Sequence, residues 1–289
     1  MPLSPKTYDQ LPKGVAIEGT DLVAIFKNAK GLKSVTVEEL KNNFIGELIS
    51  LTNPLTFNNA GLHNSIYRGK NLGSVVTPQQ YEACRKGTFD DLWLGDYWTK
   101  NGTIYFITGF NFWYNTGDTA CTTNHINVMP LVKMYDQRMN PTNTPEGGYM
   151  GSEMYTSGLD PAKATINKDF GAEHILSHRV YLTNAMSNGK ASGGAWADST
   201  VELPTEEMMY GGNIFTAHPD GTNIPSEYKI GKSQLPVFKA RPDLISNRQW
   251  FWLQNIVSSA YFARVDNDGD CYYSSASRAI GVRPEFAIH

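Results

Sequence analysis

Asp266-Asn267-Asp268-Gly269-Asp270 is the run that most invites a chemistry, because closely spaced carboxylates on a short loop can wrap a calcium ion. A calcium loop of the EF-hand kind needs Gly at its sixth position and a bidentate Glu at its twelfth. Counted from Asp266, those positions hold Cys271 and Ser277. The run reads instead as a hairpin turn with Asp268-Gly269 at its tip, and incidental cation binding there stays open. His174 and His178 lie four apart, which on a helix would put two ligands on one face. The residues between them are Ile175, Leu176 and Ser177, so the Glu and third ligand of a zinc protease are missing. Asp90-Asp91 and Glu206-Glu207 are sequence neighbours, whereas a glycosidase needs its carboxyls opposed across a cleft. Ser258-Ser259 has no Gly-x-Ser-x-Gly frame. Gly147-Gly148 and Gly193-Gly194 lack the Lys-Ser/Thr of a phosphate loop and read as turns. Cys84, Cys121 and Cys271 are odd in number and widely spaced, and read as packed thiols. The sequence therefore points to no catalytic residues, no metal and no cofactor.

What it offers instead is neutral polarity and rings. Charged residues make up 18% of the chain and aromatics 12%, so the polar surface must come from Asn, Thr, Ser, Gly and Tyr. Those are the residues of adaptable recognition surfaces. The net charge of −3 and the lack of a basic block argue against nucleic acid as a partner. No apolar stretch is long enough to span a bilayer, so no membrane insertion is expected. The start, MPLSPKTYDQLPKGV, lacks the order of a signal peptide, which implies synthesis in a cytoplasm.

The elements that would position these residues are short. Residues 1–52 read as a strand–turn–helix: an alternating run (Leu22, Ala24, Phe26), a turn, a strand at 34–37, then a helix opened by a Thr36/Glu39 capping box with Leu40, Phe44 and Leu48 on one stripe. So small an element must pack on the main domain, on copies of itself or on a partner. Residues 53–65 read as a polar linker, and 66–289 as the main domain. Within it, Thr77-Pro78 opens a helix. Asn101-Gly102 turns a hairpin between aromatic strands, where alternation over Tyr105–Tyr114 would face some rings inward and some outward. Residues 127–140 read as a strand end and a helical turn, residues 169–186 as a helix, and Pro204 as a helix start. "QWFWLQNI", "SAYFARV", "CYYSS" and the end of the chain read as strands. The fold class is α+β and loop-rich, and Arg283 reads as a buried ion-pair partner.

The segments "LGDYWTKNGTIYFITGFNFWYN", "HINVMPLVKM", "GGYMGSEMY", "VELPTEEMMYG" and "WFWLQNIVSSAYFARVDNDGDCYYSSASRAIGVRPEFAI" occur in this order. With their closing Trp-Leu…Phe-Ala-x-Val…Gly-Val-Arg-Pro-x-Phe block, they resemble a family of phage and bacterial surface proteins with a C-type-lectin-like, or formylglycine-generating-enzyme-like, fold. The resemblance covers residues 66–289. The chain lacks the Glu-Pro-Asn and Trp-Asn-Asp motifs of calcium-dependent lectins and the cysteine pair of the oxidase relatives. "GTDLVAIFKNAKGLKSVTVEEL" resembles an element near the start of phage fibre proteins, which implies virion attachment or trimerisation through residues 1–52. The resemblance implies a non-catalytic receptor-binding or tail-fibre protein, a homo-trimer that meets a bacterial surface glycan or protein. A head-fibre or capsid-decoration protein and a glycan or cell-wall hydrolase are the alternatives. In some relatives the stretch corresponding to the last hairpin is a variable surface diversified by a retroelement. The exposed side of that hairpin, with Asn255, Tyr261, Asp266, Asp268, Tyr272 and Tyr273, is the expected contact surface.

Overall fold

Two antiparallel strands, β1 (Leu22–Phe26) and β2 (Leu32–Thr36), pair in the first fifty residues. The computed structural model describes the backbone of these strands and residues 59–215 and 233–289. The chain divides into one unit over Met1–Asn58 and another over Asn59–His289. β1 matches the alternating run, and β2 begins two residues before the strand expected at 34–37. Thr36 closes β2 in extended backbone, and the helix expected to carry Leu40, Phe44 and Leu48 lies outside the described residues.

The larger unit starts at Asn59, not at Ile66. Helix α1 (Asn59–His63) buries His63, whose Nδ1 meets the Leu92 carbonyl and whose ring stacks on Trp93 at 4.3 Å. Residues 59–65, expected as the end of a linker, are therefore packed structure. Helix α2 (Pro78–Lys86) opens as its sequence dictates. The Thr77 hydroxyl accepts the Gln80 amide, and the Gln80 side chain accepts the Thr77 amide.

The first sheet has the order β3 (Tyr97–Lys100), β4 (Thr103–Phe110), β5 (Ile126–Pro130), β14 (Glu285–Ile288), β9 (Val201–Glu202), all antiparallel. The β3–β4 turn is Asn101-Gly102, with φ of 48° and 86°. Both centres are left-handed, the geometry that matches strand twist and that Asn-Gly tolerates best. The chain's last strand thus lies inside the sheet. Strand β4 is buried on both faces, so its rings do not alternate between core and solvent. Tyr105 packs edge-on against Phe170 of helix α3 (Asp160–Phe170) at 5.1 Å, and Phe106 packs on the other face against Phe238 of helix α5 (Pro236–Ala240).

The second sheet has the order β12 (Cys271–Ser275), β11 (Tyr261–Val265), β10 (Phe251–Ile256), β13 (Ile280–Val282), β6 (Tyr135–Gln137), with β10 and β13 parallel. β6 replaces the helical turn expected near 135, because it pairs with β13. A separate hairpin joins β7 (His178–Ser187) to β8 (Lys190–Ser199). It replaces the helix expected over 169–186. That helix stops at Phe170, where Gly171 takes a φ of 87°, and Val180 and Leu182 then alternate as buried strand positions. Gly193-Gly194, expected as a turn, lies inside β8 beside a register slip. Pro204 precedes helix α4 (Glu206–Tyr210), which Thr205 caps by accepting the Met208 amide. The fold is α+β. Among the described residues, no helix is long and apolar enough to cross a membrane.

Arg283 is fully buried, and among the described residues no carboxylate pairs with it. Its Nε donates to the Pro130 carbonyl at 2.9 Å, Nη2 donates to the Leu244 carbonyl at 3.3 Å, and the guanidinium lies over the Phe251 and Phe106 rings. Burial without a carboxylate lowers its pKa to about 9. Carbonyl dipoles and ring faces stand where an acid was expected.

Candidate functional site

The second sheet ends in an edge strand, β12, and the pairing of β11 with β12 sets what each face carries. Tyr261 lies opposite Ser275, Ala263 opposite Tyr273, Arg264 opposite Tyr272 and Val265 opposite Cys271. Opposed residues share a face. Tyr261 and Tyr273 therefore rise from one face, and Arg264 and Tyr272 from the other. The Tyr272 and Tyr273 rings nevertheless stack at 4.8 Å with 3° between their planes, which requires them to meet round the strand's free edge. Tyr261 lies 5.2 Å from Tyr273, and Phe215 packs edge-on against Tyr273 at 5.5 Å and Tyr272 at 6.2 Å. Tyr272 is 46% exposed and Tyr261 36%, so this is an aromatic surface open to water.

A second stack backs it. The buried Arg264 guanidinium lies 3.9 Å from the Trp250 ring centre and 5.0 Å from that of Tyr272, and the exposed Arg278 lies 4.5 Å over Trp250. Arg264 is held by donating to Ser274 Oγ at 2.9 Å and to Asp266 at 3.1 Å, and Trp250 Nε1 also donates to Asp266. Partial burial pushes the Asp266 carboxyl upward, but the Arg264 and Asn267 hydrogen bonds and the Arg264 charge outweigh it and leave the pKa below the ordinary carboxylate value. Asp266 stays ionised and keeps the arginine in place. Below it the hairpin closes: the Asp266 amide donates to the Asp270 carbonyl, and Gly269, at a φ of 90°, sits against Ser246 with no room for a Cβ. The Tyr210 hydroxyl donates to the Gly269 carbonyl and ties the tip to α4.

Of the six residues expected at the contact surface, Tyr261, Tyr272 and Tyr273 come together in one ring cluster. Asp266 is half-buried and serves Arg264 and Trp250. Asp268 is exposed at the tip, where it accepts from the Asn267 side chain. Asn255 stands apart, accepting the Glu206 amide at 2.8 Å and donating to Glu207, so it anchors the start of α4. Phe215, Trp250, Arg264 and Arg278 were not among the expected residues. Register arithmetic from an Asp268-Gly269 tip sets Arg264 opposite Tyr273, one residue away from the observed pairing with Tyr272, and nothing in the sequence ties Phe215 to this strand.

The other candidate chemistries disperse. His174 stacks on Tyr81 at 3.7 Å in a short 3-10 turn, while His178 opens β7 beneath Trp113, so they share no helical face. Among the described residues no group of three His, Cys, Asp or Glu side chains could hold a metal. The three cysteines are free, with Cys84 and Cys271 buried. Asp91 pairs with Arg68 and Lys70 at the surface, and Glu206-Glu207 are buried in the first turn of α4.

A buried polar layer lies in the first sheet. Glu285 and Glu202 oppose each other across β14 and β9. Glu285 accepts from Asn127 at 2.6 Å and Trp113 at 3.3 Å, and Glu202 accepts from Tyr149 and Ser199. Burial raises Glu285 to about 7, and it lowers His125 to about 4 and His178 to about 3. These groups are buried, and the Glu285 and Glu202 bonds link β14, β5 and β9 to their surroundings. No protein-family profile, curated protein or solved structure matches the chain.

Proposed function

We propose that the chain is a recognition protein: a bacteriophage receptor-binding or tail-fibre subunit that meets a bacterial surface through the tyrosine cluster of its last hairpin. The observation that carries this is the exposed stack of Tyr272 on Tyr273 with Tyr261 and Phe215, held on a rigid Arg264–Asp266–Trp250 support. Large rings with a polar tip give contact area at low entropic cost, and a preorganised support keeps that cost low on binding. A C-type-lectin-like scaffold is part of the proposal. It is supported by a closing strand that returns to the middle of the first sheet, and by a second, short-stranded sheet that carries the loop-rich surface. Residues 1–52 would attach the subunit to other virion proteins as a homo-trimer.

The test is binding of the purified chain to isolated bacterial cell envelopes. Tyr272→Ser with Tyr273→Ser should weaken retention by at least about tenfold with an unchanged melting temperature, the behaviour of a ring contact outside the core. Undiminished retention places the contact elsewhere and sinks this reading. Removing residues 1–52 should convert a trimer to a monomer in sedimentation, and a persistent trimer ends the attachment role.

A further inference from the structure

We infer that the ligand of the tyrosine surface is an acidic glycan carrying uronic-acid residues, with Arg278 receiving the carboxylate; this rests on the binding reading above. Tyr272, Arg264, Trp250 and Arg278 form one continuous stack of alternating rings and guanidinium groups. The two arginines in it differ in their charge balance. Arg264 is buried and matched by Asp266 at 3.1 Å. Arg278 lies in the turn after β12, exposed, and among the described residues no carboxylate pairs with its guanidinium. The guanidinium is exposed and rests on an indole face, and its planar fork of N–H donors matches a carboxylate in two parallel bonds.

The neighbouring rings narrow the ligand further. Tyrosine faces bind the apolar C–H face of a pyranose. A partner with an anion but no ring, such as a poly(glycerol phosphate), would use Arg278 and leave the rings idle. A hexuronic acid carries ring and carboxylate in one residue. The chain's net charge of −3 opposes general attraction to polyanions. Retention of a polyanion would therefore report a local site.

The experiment measures retention on immobilised polygalacturonate, its methyl ester, neutral galactan and poly(glycerol phosphate). The wild-type chain should hold polygalacturonate at least about tenfold more tightly than the methyl ester, and the difference should shrink as salt rises from about 50 to about 300 mM. Arg278→Gln should abolish that difference without moving the melting temperature, while Tyr272→Ser should weaken both the acid and the ester. Equal retention on acid and ester, or a preference that survives Arg278→Gln, overturns the assignment. So does strongest retention on poly(glycerol phosphate). Retention on bacterial envelopes without retention on polygalacturonate overturns the acidic glycan and leaves the binding reading standing. Retention on neither removes both.

Discussion

The chain contains two aromatic hairpins, β3–β4 and β11–β12, made from the same kinds of residue and both paired antiparallel. Their fates are opposite. In the first, Trp98, Tyr105, Phe106 and Phe110 are at most 3% exposed, because α3 covers one face and α5 the other. In the second, β12 is an edge strand, and Tyr261 and Tyr272 face water. Tyr105 also satisfies its hydroxyl internally on Asp169 at 2.9 Å, whereas Tyr272 keeps its ring 46% exposed, and no acceptor among the described residues takes its hydroxyl. Position in the sheet, more than residue type, separates a ring that stabilises the fold from one free to bind.

That comparison can be broken by mutation. The largest effect is expected at Tyr105→Ala, where a buried ring and its hydrogen bond are both lost. Denaturant unfolding should show about 3–5 kcal/mol of destabilisation, and a loss below about 1 kcal/mol would mean the first hairpin is not core.

Next comes the polar layer beside that hairpin. Burial raises Glu285 from its ordinary value to about 7, so the folded state holds a proton that the unfolded state releases, and this contribution falls away as pH rises from about 4.5 to 7. Glu285→Gln removes that loss and keeps an acceptor for Asn127 and Trp113. Its melting temperature relative to wild type should rise between pH 5 and pH 8, by the equivalent of up to about 3 kcal/mol. A difference flat with pH would show that Glu285 does not titrate in this range. His125 and His178 act in the opposite sense. Lowered to about 4 and about 3 by burial, they favour the fold above their unfolded value near 6.5, and stability drains away as pH falls below it. Acid unfolding of the wild type should therefore begin well above pH 4.

A smaller effect is expected at the first turn. Gly102→Ala forces a side chain into a φ of 86° and should cost about 1 kcal/mol. The smallest effect on stability belongs to the second hairpin: Tyr272→Ala should shift unfolding by less than about 0.5 kcal/mol, as surface changes do, while binding is lost. A core-sized loss there would erase the contrast between the hairpins.

Much of the local architecture was legible in the sequence. Asn101-Gly102, the Thr77 cap and the Asp268-Gly269 tip act through residues within a few positions of each other, and local sterics and hydrogen bonds decide them. The aromatic and β-branched runs "SAYFARV" and "CYYSS" on either side of a turn were enough to read as strands. The apolar spacing at Ile175 and Leu176 misled, because a short apolar run fits either period: these two residues meet β14 at Ile288 and Ala287, and the chain from His178 onward pairs with β8. What only the tertiary structure decided was pairing across distance. It sank β4 between two helices, gave Arg283 carbonyl groups in place of an acid, drew Asn255 under α4, brought Phe215 to the tyrosines, and set Arg278 with Arg264 over Trp250. Each outcome depends on which segment arrives opposite, and a residue's own type and near neighbours carry no record of that.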